Sequence, residues 1–580
     1  MQFNKLKSIS IKILYKINSR MKKAKIGEDF VEKYQMYLLL AIIIFSLFMA
    51  LVFWKGVSIY GDDVSYISLV PQIISGTFRE TANIFSIRLL MIVPLALSTY
   101  LLGYNNYGAG LYSVLCYIGS VAITFFIGRK VYNPKTGLLA AFLFSIYPMS
   151  VRYSSTADVV SPTAFYLGLS LLFFIYARKG DSSWLYILSG IFTFLGSLVD
   201  PISYVYGAVF LIYILGATFI EAYKKRSFKV DYSPFLYVLG IITAVLILGF
   251  INLGLAANGE PFYELNLTNS FYSSTGKPNT IFYINTDLMF YVKGLFPYNF
   301  TGEIFTGNFN SLLTTLEGLF FLYNVNANDV GLFMYFVVIF SVYLLLKRDR
   351  PSYFLLVFST LSLLYLEFGT MSITHYYLMY RLVRFTVIVS IPLMIILARG
   401  MMLLLDKKSK IIYRQLSVAA IIVLLFITSL PIDYFWYALN HNSMLYSELI
   451  AARLENAPNI SNSYVYAPTL LDSFVQYYMG FKPTRGVLFY NNGNYSGSFL
   501  PNCSSIPNSS YIIIPSLTAL SMIDYNGSWP VPNPWYINES WAFNPSLCNL
   551  TLYADIYNSS QVRNARIVDL EYSGSIYYKK

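Results

Sequence analysis

Repeated apolar runs constrain this chain more than any other feature of its sequence. Hydrophobic residues make up 56% of the 580 residues and charged residues only 12%, whereas a soluble protein carries roughly 25% charged residues. Many of the runs approach the ~20 residues that a helix needs to cross a bilayer. The sequence therefore predicts a polytopic α-helical membrane protein. The 11 predicted spans are 36–54, 109–127, 138–153, 162–177, 184–200, 203–220, 233–252, 330–346, 352–368, 382–398 and 411–430.

The distribution of Lys and Arg predicts which ends of these spans face the cytoplasm. Residues 1–34 form a basic arm, and with this arm inside, the inner loops hold most of the remaining basic residues, as in the positive-inside rule. Such an arm could bind nucleic acid, but contact with anionic membrane lipid explains it better. We expect a plasma-membrane protein with a cytoplasmic N-terminus, outer loops at 55–108 and 253–329, and no nucleic-acid partner.

The first outer loop contains an apolar stretch, 87–102, that is short for a span. If it crossed the membrane, Arg129 and Lys130 would lie outside, against the charge rule. We therefore expect two helices, about 64–76 and 87–102, to lie at the outer interface. The rest of the topology depends on this choice, because a crossing there would invert every later segment.

The composition changes after Pro431. Residues 432–580 are rich in Asn, Ser, Tyr and Pro and contain no spanning run, so the membrane domain is predicted to cover residues 35–431. Short apolar runs at 463–467, 486–490 and 511–515 are typical of strands bounded by turn residues, and 470–479 could be a helix. We expect a C-terminal extracytoplasmic domain of α/β or mostly β structure. Cys503 and Cys548 lie in it and could form a disulfide outside the cell.

Ten Asn-X-Ser/Thr sequons test this topology independently, because N-glycans mark the outer side of a membrane protein. All of them fall on segments that the charge pattern places outside. The acceptor residues are Asn266, Asn299, Asn459, Asn494, Asn502, Asn508, Asn526, Asn538, Asn549 and Asn558.

Acidic residues at membrane depth indicate where chemistry takes place. Asp62 and Asp63 follow the first span, and Asp158 precedes the fourth. A charge so close to the bilayer is costly unless it has a partner or a function. A carboxylate there can act as a general base toward a hydroxyl. The alternative is structural, since Asp62 or Asp63 could simply cap the helix that begins at Val64.

Basic residues at the outer mouth of the tenth span give a second signal. His375, Arg381 and Arg384 lie there, against the positive-inside trend. Because a guanidinium binds phosphate through two parallel hydrogen bonds, a lipid phosphate in the outer leaflet would explain this placement. The alternatives are snorkelling to headgroups or an ion pair with Glu367. A lone His375 is more often structural than catalytic.

Several motifs follow one another in a fixed order along the chain. They are Gly61-Asp62-Asp63, Ile74-Ser75-Gly76, Arg88-Leu89-Leu90 with Pro94, Leu101-Leu102-Gly103, Gly128-Arg129-Lys130, the run Gly137 to Pro148 followed by Asp158, and His375 followed by Arg381 and Arg384-Phe385. In this order the motifs resemble the GT-C class of integral-membrane glycosyltransferases. The pattern is most similar to glycosyltransferase family thirty-nine, which contains the dolichyl-phosphate-mannose protein mannosyltransferases and the lipid A aminoarabinose transferase.

The chain departs from this family in three places. The acidic pair is Asp-Asp where the mannosyltransferases have Asp-Glu. The WWDYG motif of oligosaccharyltransferases is absent, which argues against transfer of a whole glycan. No MIR-like insert is evident in the loop 253–329, so a protein acceptor is in question alongside a lipid or glycan acceptor.

The resemblance implies a sugar that arrives on a polyprenyl or dolichyl phosphate and is transferred, with inversion, to an acceptor hydroxyl on the outer face. Asp62 or Asp63 would take the proton, and Arg381 and Arg384 would stabilise the departing lipid phosphate. The chemistry requires no cofactor and leaves a divalent metal open. A polytopic transporter and a non-catalytic surface glycoprotein are the alternatives, although no inverted repeat of the kind that transporters show is evident.

Overall fold

The computed structural model of the protein describes residues 26–57, 62–81, 83–225, 232–256, 259–274, 332–369, 383–405, 411–468, 476–480, 486–490, 508–515, 550–557 and 573–579. Its helices are Ile26–Val52, Asp63–Ile67, Val70–Ile74, Leu89–Leu102, Asn106–Val131, Pro134–Ser145, Pro148–Arg152, Val160–Arg178, Leu185–Ser197, Tyr204–Lys225, Ser233–Leu255, Tyr263–Ser274, Phe333–Leu346, Tyr353–Phe368, Val387–Leu405 and Ile411–Glu455. Short 3-10 turns lie at Pro201–Ser203, Arg350–Ser352, Val383–Thr386 and Ile460–Asn462.

Among the described residues, eight helices are long and apolar enough to cross a membrane. They coincide with eight of the predicted spans, so the chain is an integral membrane protein and the polytopic helical prediction is confirmed. The other three predicted spans, 138–153, 184–200 and 330–346, contain helices of 12, 13 and 14 residues. At 1.5 Å per residue these are too short to cross a ~30 Å hydrocarbon core without tilting or thinning it.

The predicted span 138–153 is wrong as a single helix. Helix Pro134–Ser145 ends at Ile146, and a separate helix, Pro148–Arg152, begins directly after Tyr147. Pro148 causes the break, because proline restricts the residue before it to extended backbone. Tyr147 has φ −70° and ψ 123°, as this rule expects.

The chain returns to the same end of the helix bundle across residues 55–105. The indole Nε1 of Trp54, just past the first helix, donates to the carbonyl oxygen of Asn106 at 3.0 Å. Asn106 is the first residue of helix Asn106–Val131. Helix Leu89–Leu102 therefore does not carry the chain across the membrane, which confirms the prediction for 87–102. We call this end of the bundle the acidic end.

The opposite end, here called the basic end, is held by ion pairs between helix ends and connecting loops. Lys130 Nζ contacts Asp181 Oδ1 at 2.6 Å, and Arg399 Nη2 contacts Asp349 Oδ1 at 2.8 Å. Lys130 and Arg399 lie in helices Asn106–Val131 and Val387–Leu405, whereas Asp181 and Asp349 lie in the loops after helices Val160–Arg178 and Phe333–Leu346. Basic side chains gather there, which agrees with the end predicted to be cytoplasmic.

Small residues let two helices pack closely near the basic end. A Cβ atom at Gly128 would lie 2.8 Å from the Cα atom of Gly137, so helices Asn106–Val131 and Pro134–Ser145 touch through bare backbone. Small residues at helix crossings serve this purpose in membranes, where no hydrophobic effect drives helices together. The close contact holds the start of helix Pro134–Ser145 against the end of helix Asn106–Val131.

The last membrane helix continues beyond its predicted end. Helix Ile411–Glu455 runs through Pro431 for 45 residues, so the domain boundary predicted at 431 falls inside a helix. The division into three domains remains a prediction. The extension packs because Leu430 and Tyr437 contact a small buried cluster formed by Met49, Phe53 and Val151.

The C-terminal part forms a mixed sheet of strands β1 (Tyr464–Pro468), β2 (Gly486–Tyr490), β3 (Ser510–Pro515), β4 (Leu550–Tyr557) and β5 (Ser573–Lys579). The strand order is β2-β1-β3-β5-β4. Strand β1 is parallel to β2 and β3, whereas β5 is antiparallel to β3 and β4. The three strands predicted from apolar runs are confirmed, and the predicted helix 470–479 lies mostly outside the described residues.

Candidate active site

Two short backbone segments join side by side at the acidic end and carry the candidate acids. The Gly56 amide donates to the Ser155 carbonyl, and the Ala157 amide donates to the Gly56 carbonyl, both at 2.8 Å. Gly56 adopts φ +73°, and a Cβ atom there would lie 2.4 Å from Asn106 Oδ1, so only glycine fits. This bridge fixes the start of the first outer loop against the residues that precede Asp158.

A buried lysine strengthens the same junction. Lys55 is 2% exposed, and its Nζ donates to the Arg152 carbonyl at 2.5 Å. Its positive charge also attracts Asp433, a fully buried residue of helix Ile411–Glu455. The last membrane helix is thereby tied electrostatically to the segment that carries the candidate acids.

Arg384 brings two of the three predicted acids together. Its Nη2 contacts Asp62 Oδ2 at 2.9 Å, and its Nη1 contacts Asp158 Oδ2 at 3.5 Å. The three residues are separated by up to 322 positions in the sequence. The Asp62 side chain is 27% exposed, the Arg384 side chain 21% and the Asp158 side chain 1%. Asp62 is thus the partly exposed carboxylate of a largely buried ion-pair cluster, and Asp158 is its buried carboxylate.

Asp158 has both a structural and an electrostatic role. Its side chain accepts a hydrogen bond from the Val160 amide at 3.3 Å, at the start of helix Val160–Arg178. Burial raises the pKa of the Asp158 carboxyl, and the charges of Asp62 and Asp200 act in the same direction. The Arg384 guanidinium opposes them and favours the ionised form. Arg384 is therefore the main group that favours the charged form of Asp158.

Asp63 is fully buried and begins helix Asp63–Ile67. An acid at this position complements the positive end of the helix dipole, as the structural alternative anticipated. Asp62 precedes that helix, and its backbone carbonyl accepts from Ser65 at 2.9 Å. The adjacent acids are therefore not equivalent, since Asp62 reaches the ion-pair cluster and Asp63 lies in the interior.

Sequence reasoning did not single out Tyr66 and Arg88 as a buried pair behind the acids. The Arg88 guanidinium donates to the Tyr66 hydroxyl, and its Cζ lies 5.4 Å from the centre of the Phe85 ring. Burial raises the pKa of Tyr66, and Asp62, Asp158 and Asp200 raise it further. The signal for Arg88 was its place at the head of the Arg-Leu-Leu motif, but pairing with a tyrosine 22 residues earlier is a tertiary feature.

A narrow depression lies beside Arg88. Apolar side chains such as Phe194, Leu248 and Phe262 form most of its wall, and Arg88 and Glu264 supply its charged groups. Glu264 comes from the short helix Tyr263–Ser274 of the second outer loop. The first and second outer loops thus meet near the candidate acids.

Several predicted site residues lie outside the described part of the chain. They are His375, Arg381, Cys503 and Cys548, together with the sequon residues Asn299, Asn494, Asn502, Asn526, Asn538, Asn549 and Asn558. The other three sequon residues, Asn266, Asn459 and Asn508, are exposed. Cys116 is buried. Within the described ranges, no group of three or more His, Cys, Asp or Glu side chains is placed to hold a metal ion.

Comparison with known proteins supports the resemblance predicted from the motifs. Residues 89–250 match the sequence profile of the dolichyl-phosphate-mannose-protein mannosyltransferase family. This segment contains Asp158 and Asp200, whereas Asp62 and Arg384 lie outside it. No protein of curated function matches the sequence significantly.

Solved structures share the fold at low sequence identity. The apo oligosaccharyltransferase of Archaeoglobus fulgidus matches with a TM-score of 0.51 and 13% identity, over 86% of this chain and 71% of that one. Its complex with zinc and sulfate matches with a TM-score of 0.47 and 14% identity, over 77% of this chain and 62% of that one. ArnT from Cupriavidus metallidurans, bound to undecaprenyl phosphate, matches with a TM-score of 0.48 and 10% identity, over 94% and 98%.

The match to the apo oligosaccharyltransferase agrees with a polytopic helical fold. The match to the oligosaccharyltransferase fold covers most of this chain but only 62% to 71% of those two structures. Residues 89–250 carry the sequence pattern of the dolichyl-phosphate-mannose-protein mannosyltransferases, and the chain is an integral membrane protein whose fold resembles that of the GT-C glycosyltransferases.

Proposed function

We propose that this protein is a glycosyltransferase that moves one sugar from a polyprenyl or dolichyl phosphate to an acceptor hydroxyl. The observation that carries the proposal is the cluster of Asp62, Arg384 and Asp158. It combines a partly exposed carboxylate with a guanidinium at one end of a membrane helix bundle. The match of residues 89–250 to the mannosyltransferase family supports it.

Asp62 is the better candidate for the general base. Its carboxylate is 27% exposed, so an acceptor hydroxyl can approach it, whereas Asp63 is fully buried. A general base must lie within hydrogen-bonding reach of the proton that it removes. Asp158 is buried and holds the other side of the Arg384 guanidinium, which makes it a positioning residue.

The reaction is a single displacement. The acceptor oxygen attacks the anomeric carbon while its proton passes to the Asp62 carboxylate. The bond between that carbon and the phosphate oxygen breaks, and the electron pair leaves with the lipid phosphate. Attack from the opposite face inverts the configuration of the sugar. Negative charge develops on the departing phosphate oxygen, where a fixed cation lowers the barrier.

Among the residues that the structure describes, Arg384 is the cation placed to stabilise the departing lipid phosphate. Its guanidinium is held on one side by Asp62 and Asp158, which orients it before substrate binds. Arg381 and His375, predicted from the same stretch of sequence, complete the proposed phosphate site.

We propose that the transferred unit is a hexose or pentose and that the acidic end faces outside the plasma membrane. The basic end, with Lys130 and Arg399, supports a cytoplasmic assignment for the opposite face. The acceptor, whether lipid, glycan or protein, would then approach from outside. Exposed sequon residues at Asn266, Asn459 and Asn508 agree with this orientation.

Purified protein in lipid nanodiscs, given radiolabelled polyprenyl-phosphate sugars and membrane-extract acceptors, tests the proposal. We expect wild type to transfer the label and Asp62→Asn to lower kcat by about 100- to 10,000-fold, the range for a lost general base. Asp63→Asn separates the adjacent acids and should retain more activity. Full activity in Asp62→Asn would refute the base assignment. Absence of transfer by wild type, with uptake of sugar lipid into vesicles, would favour a transporter.

A further inference from the structure

Two tyrosines from the C-terminal part of the chain reach the acidic end of the bundle. Tyr477 and Tyr478 lie in the connection between the parallel strands β1 and β2. The Tyr477 hydroxyl donates to the Asn105 carbonyl at 3.1 Å, and the Tyr478 hydroxyl donates to Asn106 Oδ1 at 2.6 Å. Both bonds connect residues 372 positions apart. The domain outside the bundle is therefore fastened to the first turn of a membrane helix.

Asn106 forms hydrogen bonds to several parts of the chain at this point. Its side-chain amide also donates to Glu448 Oε1 at 2.5 Å, and its carbonyl accepts from Trp54 Nε1 at 3.0 Å. Three parts of the chain meet at one residue: the end of the first membrane helix, the extension of the last, and the C-terminal domain. Because the Asn106 side chain occupies the space beside Gly56, its position also sets that of the Gly56 backbone.

Tyr477 packs behind the candidate acids. It is fully buried in the hydrophobic cluster that contains Val57, Tyr66 and Ile67, the residues that flank Asp62 and Asp63. Its ring meets that of Tyr104 edge to face at 5.6 Å. Tyr478 is close enough to Asp63 for that carboxylate to help raise its pKa, although burial and Glu448 contribute more. The two tyrosines therefore belong to the same packed region as the residues near the acidic pair.

We infer that Tyr478, acting through Asn106, is a positioning residue for the acids of the first outer loop, so that docking of the C-terminal domain sets the geometry of catalysis. This inference rests on the proposed function. The Tyr478 hydroxyl holds the Asn106 side chain, Asn106 fixes the backbone at Gly56, and the bridge from Gly56 to Ser155 and Ala157 sets the separation of Asp62 and Asp158. A small displacement of a reacting group is costly, since 1 Å can lower a rate by about 100-fold.

The conservative variant Tyr478→Phe removes only the hydroxyl. We expect kcat to fall about tenfold, within the range for misplaced groups, while KM for the lipid-linked donor stays within about twofold, because the phosphate site is untouched. Amide hydrogen exchange in a peptide covering residues 62–67 should accelerate. The variant Asn106→Leu breaks the same bond from the other side, so the loss of kcat in the double variant should be less than the product of the two single losses.

Tyr511→Phe is the matched control. Tyr511 is 1% exposed, and its hydroxyl donates to the Pro458 carbonyl at 2.8 Å, a bond within the C-terminal part. This variant should lower the melting temperature to a similar extent and leave kcat and the exchange of residues 62–67 unchanged.

Unchanged kcat in Tyr478→Phe would overturn the inference, as would an equal loss of kcat in Tyr511→Phe. Unaltered exchange at residues 62–67 would overturn it as well. Failure of the proposed function has a different signature, because wild type would then transfer no sugar, or Asp62→Asn would remain fully active. The exchange measurement does not depend on transfer, so it tests the mechanical link between Tyr478 and the acids in either case.

Discussion

Replacing Arg384 with Met tests the proposed site most directly, because one guanidinium holds two carboxylates. At an effective dielectric constant of about 20, charges 3.5 Å apart, as Arg384 and Asp158 are, attract by about 5 kcal/mol. Desolvation offsets part of this energy, but removing one partner of a buried pair still costs roughly 3–5 kcal/mol. We expect the free energy of unfolding to fall by about 3 kcal/mol here, because the Arg384 side chain is 21% exposed and the pair is only partly buried.

The effect on catalysis should be separable from the effect on stability. Loss of a fixed group that stabilises developing charge lowers kcat by about 100- to 1000-fold, and we expect this range for Arg384→Met. Adding Asp158→Asn to that variant removes the uncompensated buried charge. The double variant should regain most of its resistance to denaturant but none of its transfer, because the cation next to the leaving phosphate is still missing.

Unfolding in detergent, followed by tryptophan fluorescence, and transfer of labelled sugar are measured on the same preparations. Arg399→Met is the matched control, since Arg399 forms a comparable ion pair with Asp349, at 2.8 Å, at the opposite end of the bundle. It should lose stability and keep transfer. Recovery of transfer in the Arg384→Met/Asp158→Asn double variant would refute the reasoning, because it would show that Arg384 only neutralises Asp158.

Two further predictions concern the frame of the site and its pH dependence. Gly56→Ala should lower the free energy of unfolding by more than the ~1–2 kcal/mol of a left-handed alanine, because its Cβ atom would lie 2.4 Å from Asn106 Oδ1. Gly76→Ala is the control in a denaturant titration, since Gly76 has φ +70° and no atom within 4 Å of that position; equal losses would contradict the steric argument. Burial and the neighbouring Glu264 raise the pKa of Glu80 to about 8. An acid with a raised pKa binds its proton more tightly in the folded state, so stability falls as pH rises from the unfolded pKa of about 4.5 toward 8. Glu80→Gln should flatten the dependence of the melting temperature on pH between about pH 4.5 and pH 8, the limits just given. An unchanged slope in Glu80→Gln would show that the carboxyl is not held protonated.

The sequence by itself determined the class of protein and the alternation of its helices. It also pointed to Asp62 and Asp158, the two acids of the ion-pair cluster. Apolar runs and charge asymmetry are local properties, and a bilayer converts them directly into spans and orientation. The order of the motifs led to the GT-C resemblance in the same way. The cost of a charge at membrane depth was enough to single out Asp62, Asp158 and Arg384 before any contact between them was known.

Helix length and helix ends were less accessible from the sequence. The run 138–153 is apolar throughout, yet Pro148 divides it, and helix Ile411–Glu455 continues through Pro431. The same residue type thus breaks one helix and is accommodated in another. What differs is packing, since the extension after Pro431 contacts a buried cluster that includes Phe53 and Val151.

Only the tertiary structure decided which residues share the site. Arg384 meets Asp62 across 322 positions, and Tyr478 meets Asn106 across 372. Neither pair has a sequence signature, because a side chain's partner depends on how helices pack and not on local spacing. Folding also separated the roles of two adjacent acids that the sequence could not distinguish. Asp63 turns into the interior while Asp62 remains at the edge, because the helix that starts at Asp63 directs successive side chains to different faces.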